Sequence, residues 1–357
     1  MRTAHEIKQQ LEQSGAMMKR VYARDELLPG YKAFEEAVLR TLFNEQYSDA
    51  LRMYDARDHL RSACAQYALM DSEVFNRLDY TLTKFSKTTS ALINGERGEQ
   101  AMRRALESLR CKYATVYNVE TKHGDDRIEC DAVVITPWGI IIAEAKWYKH
   151  DVMIDEDGFV HERFVPQSFI YNVGEKLRTK EHVLWQRLEE ALPGLLSYDR
   201  VRAVLVPANN AASCDNRFDG VEVCRCGKLP YTIEKLQDDA CLSDEQVDQI
   251  AEIVRGISCS YAYPSEIDFD QLRCDLAETI SAIERASERR EREEHLDIVV
   301  APGGLTTEPN NQSGLVSRDN RKPSYEYAPA WGWFGAGVGV GSAIAGAIAL
   351  LARRNAA

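Results

Sequence analysis

Residues 127–150, R-I-E-C-D-A-V-V-I-T-P-W-G-I-I-I-A-E-A-K-W-Y-K-H, set two carboxylates and an amine on what reads as a short β-hairpin. Ile128, Cys130, Ala132 and Val134 alternate with Glu129, Asp131 and Val133. The run breaks at Thr136-Pro137-Trp138-Gly139, and Ile140-Ile141-Ile142 opens a second strand. Side chains two apart on a strand share a face, so Glu144 and Lys146 project together, beside Asp131 on the partner strand. Such groups are costly to bury among apolar neighbours unless a cation binds them, which is the chemistry of a divalent-metal site. Oxygen-only ligands favour Mg²⁺ or Mn²⁺. Taken singly, the residues have a plainer reading: an exposed strand carboxylate at Asp131, and a Glu144–Lys146 ion pair worth little.

The spacing Asp-x12-Glu-x-Lys resembles the core of the PD-(D/E)xK nucleases. The surrounding sequence narrows the resemblance to the nuclease-related domain, over roughly residues 95–236. Gly95-Glu96-Arg97-Gly98-Glu99 opens onto a helix, and the Asp131 strand and the Gly-Ile-Ile-Ile-x-Glu-x-Lys strand follow. A second hairpin, Val152 to Val160, comes next. The resemblance implies a restriction-endonuclease-like core that hydrolyses DNA phosphodiester bonds endonucleolytically with Mg²⁺, or with Mn²⁺ in its place. It makes Asp131 and Glu144 the metal ligands, joined by the backbone carbonyl of Ala145. Lys146 then orients or deprotonates the attacking water, its pKa depressed by the metal, or stabilises the pentavalent transition state. Glu99, matching the family's helix glutamate, completes the acidic cluster; a helix-start glutamate also complements the macrodipole.

Gln167 and Tyr171 match the QxxxY pattern of RecB-like relatives. The family's Asn-Pro followed by glutamine is replaced here by Asn172-Val173 and Lys176, which leaves the fourth motif open. Lys176, Arg178, Lys180 and Arg187 either meet nucleic-acid phosphates without reading sequence, on DNA or on RNA, or form a solvated helix face.

The elements that must position these groups form an α/β pattern: a mixed sheet flanked by helices over 94–240, preceded by an all-α module over 1–93. In that module Ile7, Leu11, Met18 and Val21, then Phe34, Val38 and Leu42, recur at helical steps, with a turn expected at Pro29-Gly30. Further helices are expected over about 48–70 and 71–92, and another from near Glu96. The amphipathic stripes suit a core or a self-association surface. Phe164 to Leu192 reads as mainly helical, and Val201 to Val206 and Val221 to Cys224 as strands. A helical extension over 241–297 opens with a capping box at Ser243-Asp244-Glu245-Gln246. A linker follows over 298–329.

Residues 331–352 carry no charge and lie between Trp331, Trp333 and Phe334 at one end and Arg353-Arg354 at the other. That length and those flanks predict a C-terminal transmembrane anchor, against a glycine content that favours a flexible tail. The bulk of the chain would then face the cytoplasm. Nine scattered cysteines without paired Cys/His spacing exclude a zinc site and suit a reducing compartment. No secretory leader is expected, since Met1-Arg2-Thr3-Ala4-His5-Glu6 runs into a polar helix. A net charge of −12 excludes a surface that coats nucleic acid throughout, so any contact is a local basic strip. The rival reading is a non-catalytic nucleic-acid-binding or membrane-tethered scaffold on the same fold.

Overall fold

The computed structural model describes residues 9, 11, 21–235 and 239–299. A two-residue strand, β1 (Val21–Tyr22), leads into α1 (Arg24–Phe43), α2 (Met53–Gln66) and the 34-residue α3 (Glu73–Leu106). The turn expected at Pro29-Gly30 is absent; both residues lie inside α1. The buried stripe Leu27, Leu28, Tyr31, Phe34 and Val38 holds the helix through the proline. Gly30 permits the close approach of Tyr22, whose ring would stand 2.6 Å from a Cβ at that position. The helices expected over about 71–92 and from Glu96 are likewise one. α3 is capped by Ser72, whose Oγ accepts from the Phe75 amide at 3.2 Å, and it runs unbroken past Gly95 and Gly98.

β2 (Ala114–His123), β3 (Asp126–Thr136) and β4 (Gly139–Lys146) form an antiparallel meander. Next in the chain are the short strands β5 (Val152–Ile154) and β6 (Phe159–Glu162), then β7 (Val165–Asn172) and α4 (Val173–Ala191). The first part of the segment read as helical is therefore a strand. Phe169-Ile170-Tyr171 is β-prone, and Asn172 stops the strand by capping α4, its Oδ1 accepting from the Glu175 amide at 2.8 Å. β8 (Val201–Pro207), β9 (Cys214–Asn216), β10 (Glu222–Val223), α5 (Leu229–Lys235) and α6 (Asp244–Ile257) complete this part of the chain. β8 lies parallel to β4, so the five-stranded sheet runs β10-β8-β4-β3-β2; a second sheet runs β7-β6-β5-β9.

Helices cover both faces of the five-stranded sheet, as the sequence pattern implies. Val133, Ile135, Ile140 and Ile142 pack with Leu177 and Leu184 of α4 and with Val247 and Ile250 of α6. Val134, Ile141 and Ala143 pack with Met102 and Leu106 of α3 and with Ile233 of α5. β4 is buried along its whole length, which accounts for an unbroken apolar run in place of alternation.

The chain then returns to its start. β11 (Tyr263–Pro264) pairs with β1, and α7 (Phe269–Val299) lays Phe269, Leu272, Leu276 and Ile280 into one core with Phe34, Val38, Leu60, Leu78 and Phe85. Phe34 and Val38 of the apolar stripe that suits self-association in the sequence are thus covered by the chain's own α7; Ile7 and Met18 lie outside the described residues. α3 serves both regions, its first half in the helical core and Met102 and Leu106 against the sheet. No helix among the described residues is long and apolar enough to cross a membrane; residues 331–352 lie outside them.

Gly139, at the turn that joins β3 to β4, has φ 144°, and a Cβ there would stand 2.4 Å from the Arg200 carbonyl oxygen. Gly124 joins β2 to β3 at φ 59° with nothing within 4 Å of its Cβ position. Gly139→Ala is expected to cost about 3 kcal/mol and Gly124→Ala about 1 kcal/mol, read as urea midpoints. Equal losses would contradict the turn described.

Candidate active site

The hairpin register sets the site. Ala132 pairs with Ala143 across β3 and β4, so the next residues outward are Asp131 and Glu144. On β4, Ile140 and Ile142 enter the core beneath α4 while Ile141, Ala143 and Ala145 enter the opposite one, so Glu144 and Lys146 belong to the α4 face. β3 turns over at this point. Cys130 and Val133 share one core although their spacing would place them on opposite faces of a regular strand, and Asn118, across from Asp131 on β2, has φ 54°. The Asp131 carboxylate lies just past the last β3–β4 pair, where Oδ2 accepts from the Ala145 amide at 2.9 Å.

Glu99 reaches the same place from α3. Gly98 makes this possible, since a Cβ there would already stand 3.3 Å from Ala208 and 3.9 Å from Ala145. The helix therefore lies close on β4 and β8 just where Glu99 projects.

Each carboxylate meets a cation. Glu144 accepts from Lys146 Nζ at 2.7 Å on Oε1 and from Lys180 Nζ at 2.5 Å on Oε2. Arg24, at the first turn of α1, donates through Nη2 to Glu99 Oε1 at 2.9 Å and to Asp131 Oδ1 at 3.0 Å. Its Nη1 lies 2.5 Å from Glu129 Oε1. Arg103 stands 3.6 Å from Glu99, and the Tyr263 hydroxyl donates to Glu129 at 2.9 Å.

The protonation states follow from burial set against these partners. Burial would push the Glu144 carboxyl up, but Lys146 and Lys180 outweigh it and hold the group below the ordinary range. Burial, then the charge of Glu144, raises Asp131. Burial, then the charge of Asp131, brings Glu99 to about 7. For Lys146, burial is outweighed by Glu144 and Asp131, so its pKa lies above the usual lysine value. The depression expected from the sequence is the effect of a metal; the chain's own charges, Glu144 and Asp131, act in the opposite direction.

The basic residues of α4 divide. Lys180 turns in to Glu144, and Lys176 lies over the Tyr171 ring at 4.8 Å, near Lys146 and Lys180. Arg178 stacks on Phe218 at 5.2 Å and Arg187 pairs with Glu190, so neither joins the acidic cluster. The Tyr171 hydroxyl shares a 2.7 Å hydrogen bond with that of Tyr148, within the range of Lys146's charge. Gln167 lies on β7, a strand, and its side chain is outside the described residues.

Glu129 and Arg24 are absent from the sequence expectation. Glu129 carries a weak signal, standing two residues before Asp131 in the same strand. Arg24 carries none, being 107 residues from Asp131 in a segment with no chemical pattern. Among the described residues no group of three or more His, Cys, Asp or Glu is arranged to hold a metal as it stands. The donor chemistry nevertheless suits a hard cation, and the guanidinium held by three carboxylates marks where positive charge is favoured.

Residues 94–206 match the family model of the nuclease-related domain. The match includes Glu99, Asp131, Glu144, Lys146 and the basic residues of α4, and it excludes Arg24 and Tyr263. No curated protein and no solved structure matches the chain.

Burial, then the charges of Lys146 and Lys180, lowers the Lys176 pKa to about 8. A lysine whose folded pKa lies below its unfolded value opposes folding while it is charged, and the penalty vanishes where both states are neutral. Relative to wild type, Lys176→Met is therefore expected to have a higher Tm at pH 7, with the advantage shrinking as pH rises from about 8 towards 10.5. A Tm difference that does not change with pH would contradict this placement of Lys176.

Proposed function

We propose that the nuclease-related segment hydrolyses phosphodiester bonds within DNA strands with the aid of Mg²⁺, on a restriction-endonuclease-like core. The observation that carries this reading is that Asp131 and Glu144 stand side by side just past the last β3–β4 pair, Ala132–Ala143, with Lys146 and Lys180 against Glu144, inside the matched span. Asp131 and Glu144 would hold the ion, with the Ala145 carbonyl as a third oxygen; Mn²⁺ meets the same donor requirement. When bound, such an ion supplies Lewis-acid polarisation of the phosphate and a lower pKa for its water.

The remaining work falls to side chains. Lys146 would orient or deprotonate the attacking water, or stabilise the charge that develops on the pentavalent phosphoryl group. Lys180 fixes the rotamer of Glu144. Lys176 would meet a backbone phosphate of DNA, and RNA presents the same phosphates. Glu99, poised at about 7, completes the acidic cluster from α3.

A second reading, a nucleic-acid-binding or scaffold protein without turnover, is favoured by one observation: every carboxylate of the cluster is already ion-paired within the chain. Incubation of the full chain with supercoiled plasmid and Mg²⁺ separates the two. Nicking that a chelator stops is expected, with Asp131→Asn and Lys146→Ala slower by about 10²-fold or more. Cleavage that survives both substitutions would overturn the hydrolytic reading.

The uncharged segment 331–352 is proposed to anchor the chain in a membrane, with the nuclease-related segment on the cytoplasmic face. The full chain should float with phospholipid vesicles through a density gradient, and a chain ending at residue 330 should not. Equal behaviour of the two would remove the anchor.

A further inference from the structure

We propose that Arg24 is an internal latch, whose guanidinium holds the acidic cleft closed to divalent cations until the start of α1 lifts away. The inference rests on the hydrolytic reading of Asp131 and Glu144 and adds a control that lies outside the matched family span. Three carboxylates from two elements converge on this one side chain: Glu99 from α3, and Glu129 and Asp131 from β3. The guanidinium fork is the group that can serve all three at once.

Charge balance makes the contact exclusive. Glu99, Glu129, Asp131 and Glu144 are paired with Arg24, Arg103, Lys146 and Lys180, four carboxylates against four cations, and Lys176 lies near Lys146 and Lys180. A divalent ion added beside Asp131 would bring two further positive charges close to the cations already there. One internal cation must leave, and the fold singles out Arg24. Lys146 and Lys180 sit on β4 and α4, which share the core of the sheet. Arg24 belongs to α1, whose apolar residues pack in the separate helical core. The start of α1 reaches the sheet through β11: β1 pairs with β11 over two residues, Tyr263 of β11 donates to Glu120 at 2.7 Å and to Glu129, the Tyr261 amide donates to Glu120, and Arg127 lies over both tyrosine rings.

There is also room for an exchange. A cavity of about 350 Å³ opens beside the guanidinium, lined among others by Arg24, Lys32, Glu99, Glu129, Asp131 and Lys146. At about 30 Å³ per water, that volume accommodates an ion with its hydration shell.

Mn²⁺ binding by the full chain, followed by the electron paramagnetic resonance of the free ion, tests the latch without reference to turnover. Arg24→Met is expected to bind Mn²⁺ at least tenfold more tightly than wild type, and adding Asp131→Asn should erase the gain. Arg24→Lys keeps a charge but cannot span three carboxylates, so an intermediate affinity is expected; it also provides the measurement if Arg24→Met does not fold. Wild-type affinity, or weaker, in every Arg24 variant that folds overturns the latch. Tight Mn²⁺ binding by Arg24→Met without plasmid cleavage by any variant would remove the hydrolytic reading and leave the latch. Chelator-sensitive cleavage by wild type with Mn²⁺ affinity unchanged in Arg24→Met would do the reverse.

Discussion

Four carboxylates gathered where β3 and β4 part, two of them buried, are each met by positive charge, and the rest of the structure is arranged around that requirement. Glu144 and Asp131 are nearly inaccessible, and an unpaired carboxylate so placed costs several kcal/mol. The chain meets the demand from three directions. β4 itself supplies Lys146, α4 supplies Lys180, and α1, whose core is elsewhere, supplies Arg24. A buried ion pair is weak evidence for added stability, because desolvation offsets most of the attraction. What these pairs provide is position: the rotamers of Asp131 and Glu144 are fixed by their partners.

The two cores are joined in a way that matches this use. α3 is shared between the helical core and the sheet, and it carries Glu99 close to the junction, just past the close-packed Gly98. The helical region is therefore not merely attached to the nuclease-related segment. It delivers one carboxylate through α3 and the opposing guanidinium through α1, so any movement of α1 relative to the sheet changes the charge of the cleft. The contact through Tyr263 and β11 links the far end of the chain to the same cluster.

Much of the hairpin is legible in the sequence because its information is local. Alternation and a Pro-Trp-Gly break define β3 and β4, and strand period alone puts Glu144 and Lys146 on one face. Other features depend on distant contacts. Pro29-Gly30 reads as a turn, yet the buried face of α1 and the Tyr22 ring keep it helical. Residues 165–172 are drawn into strand by pairing with β6 before Asn172 starts the helix. Glu99 is visible only through resemblance to a family, and Arg24 not at all, since nothing local marks an arginine that will meet Asp131 across the fold. Of the four basic residues of α4, spacing could not tell Lys176 and Lys180, which face the cluster, from Arg178 and Arg187, which stack or pair elsewhere.

The claim at the centre is that the place where β3 and β4 part is a cation site whose present occupant is an arginine. Anomalous diffraction from crystals of the Arg24→Met chain grown with Mn²⁺ addresses it most directly. A peak at the Asp131 carboxylate, in the place the guanidinium now fills, is expected, with Lys180 still against Glu144. A well-ordered Asp131 carboxylate with no peak beside it, or manganese bound only elsewhere on the chain, would contradict it.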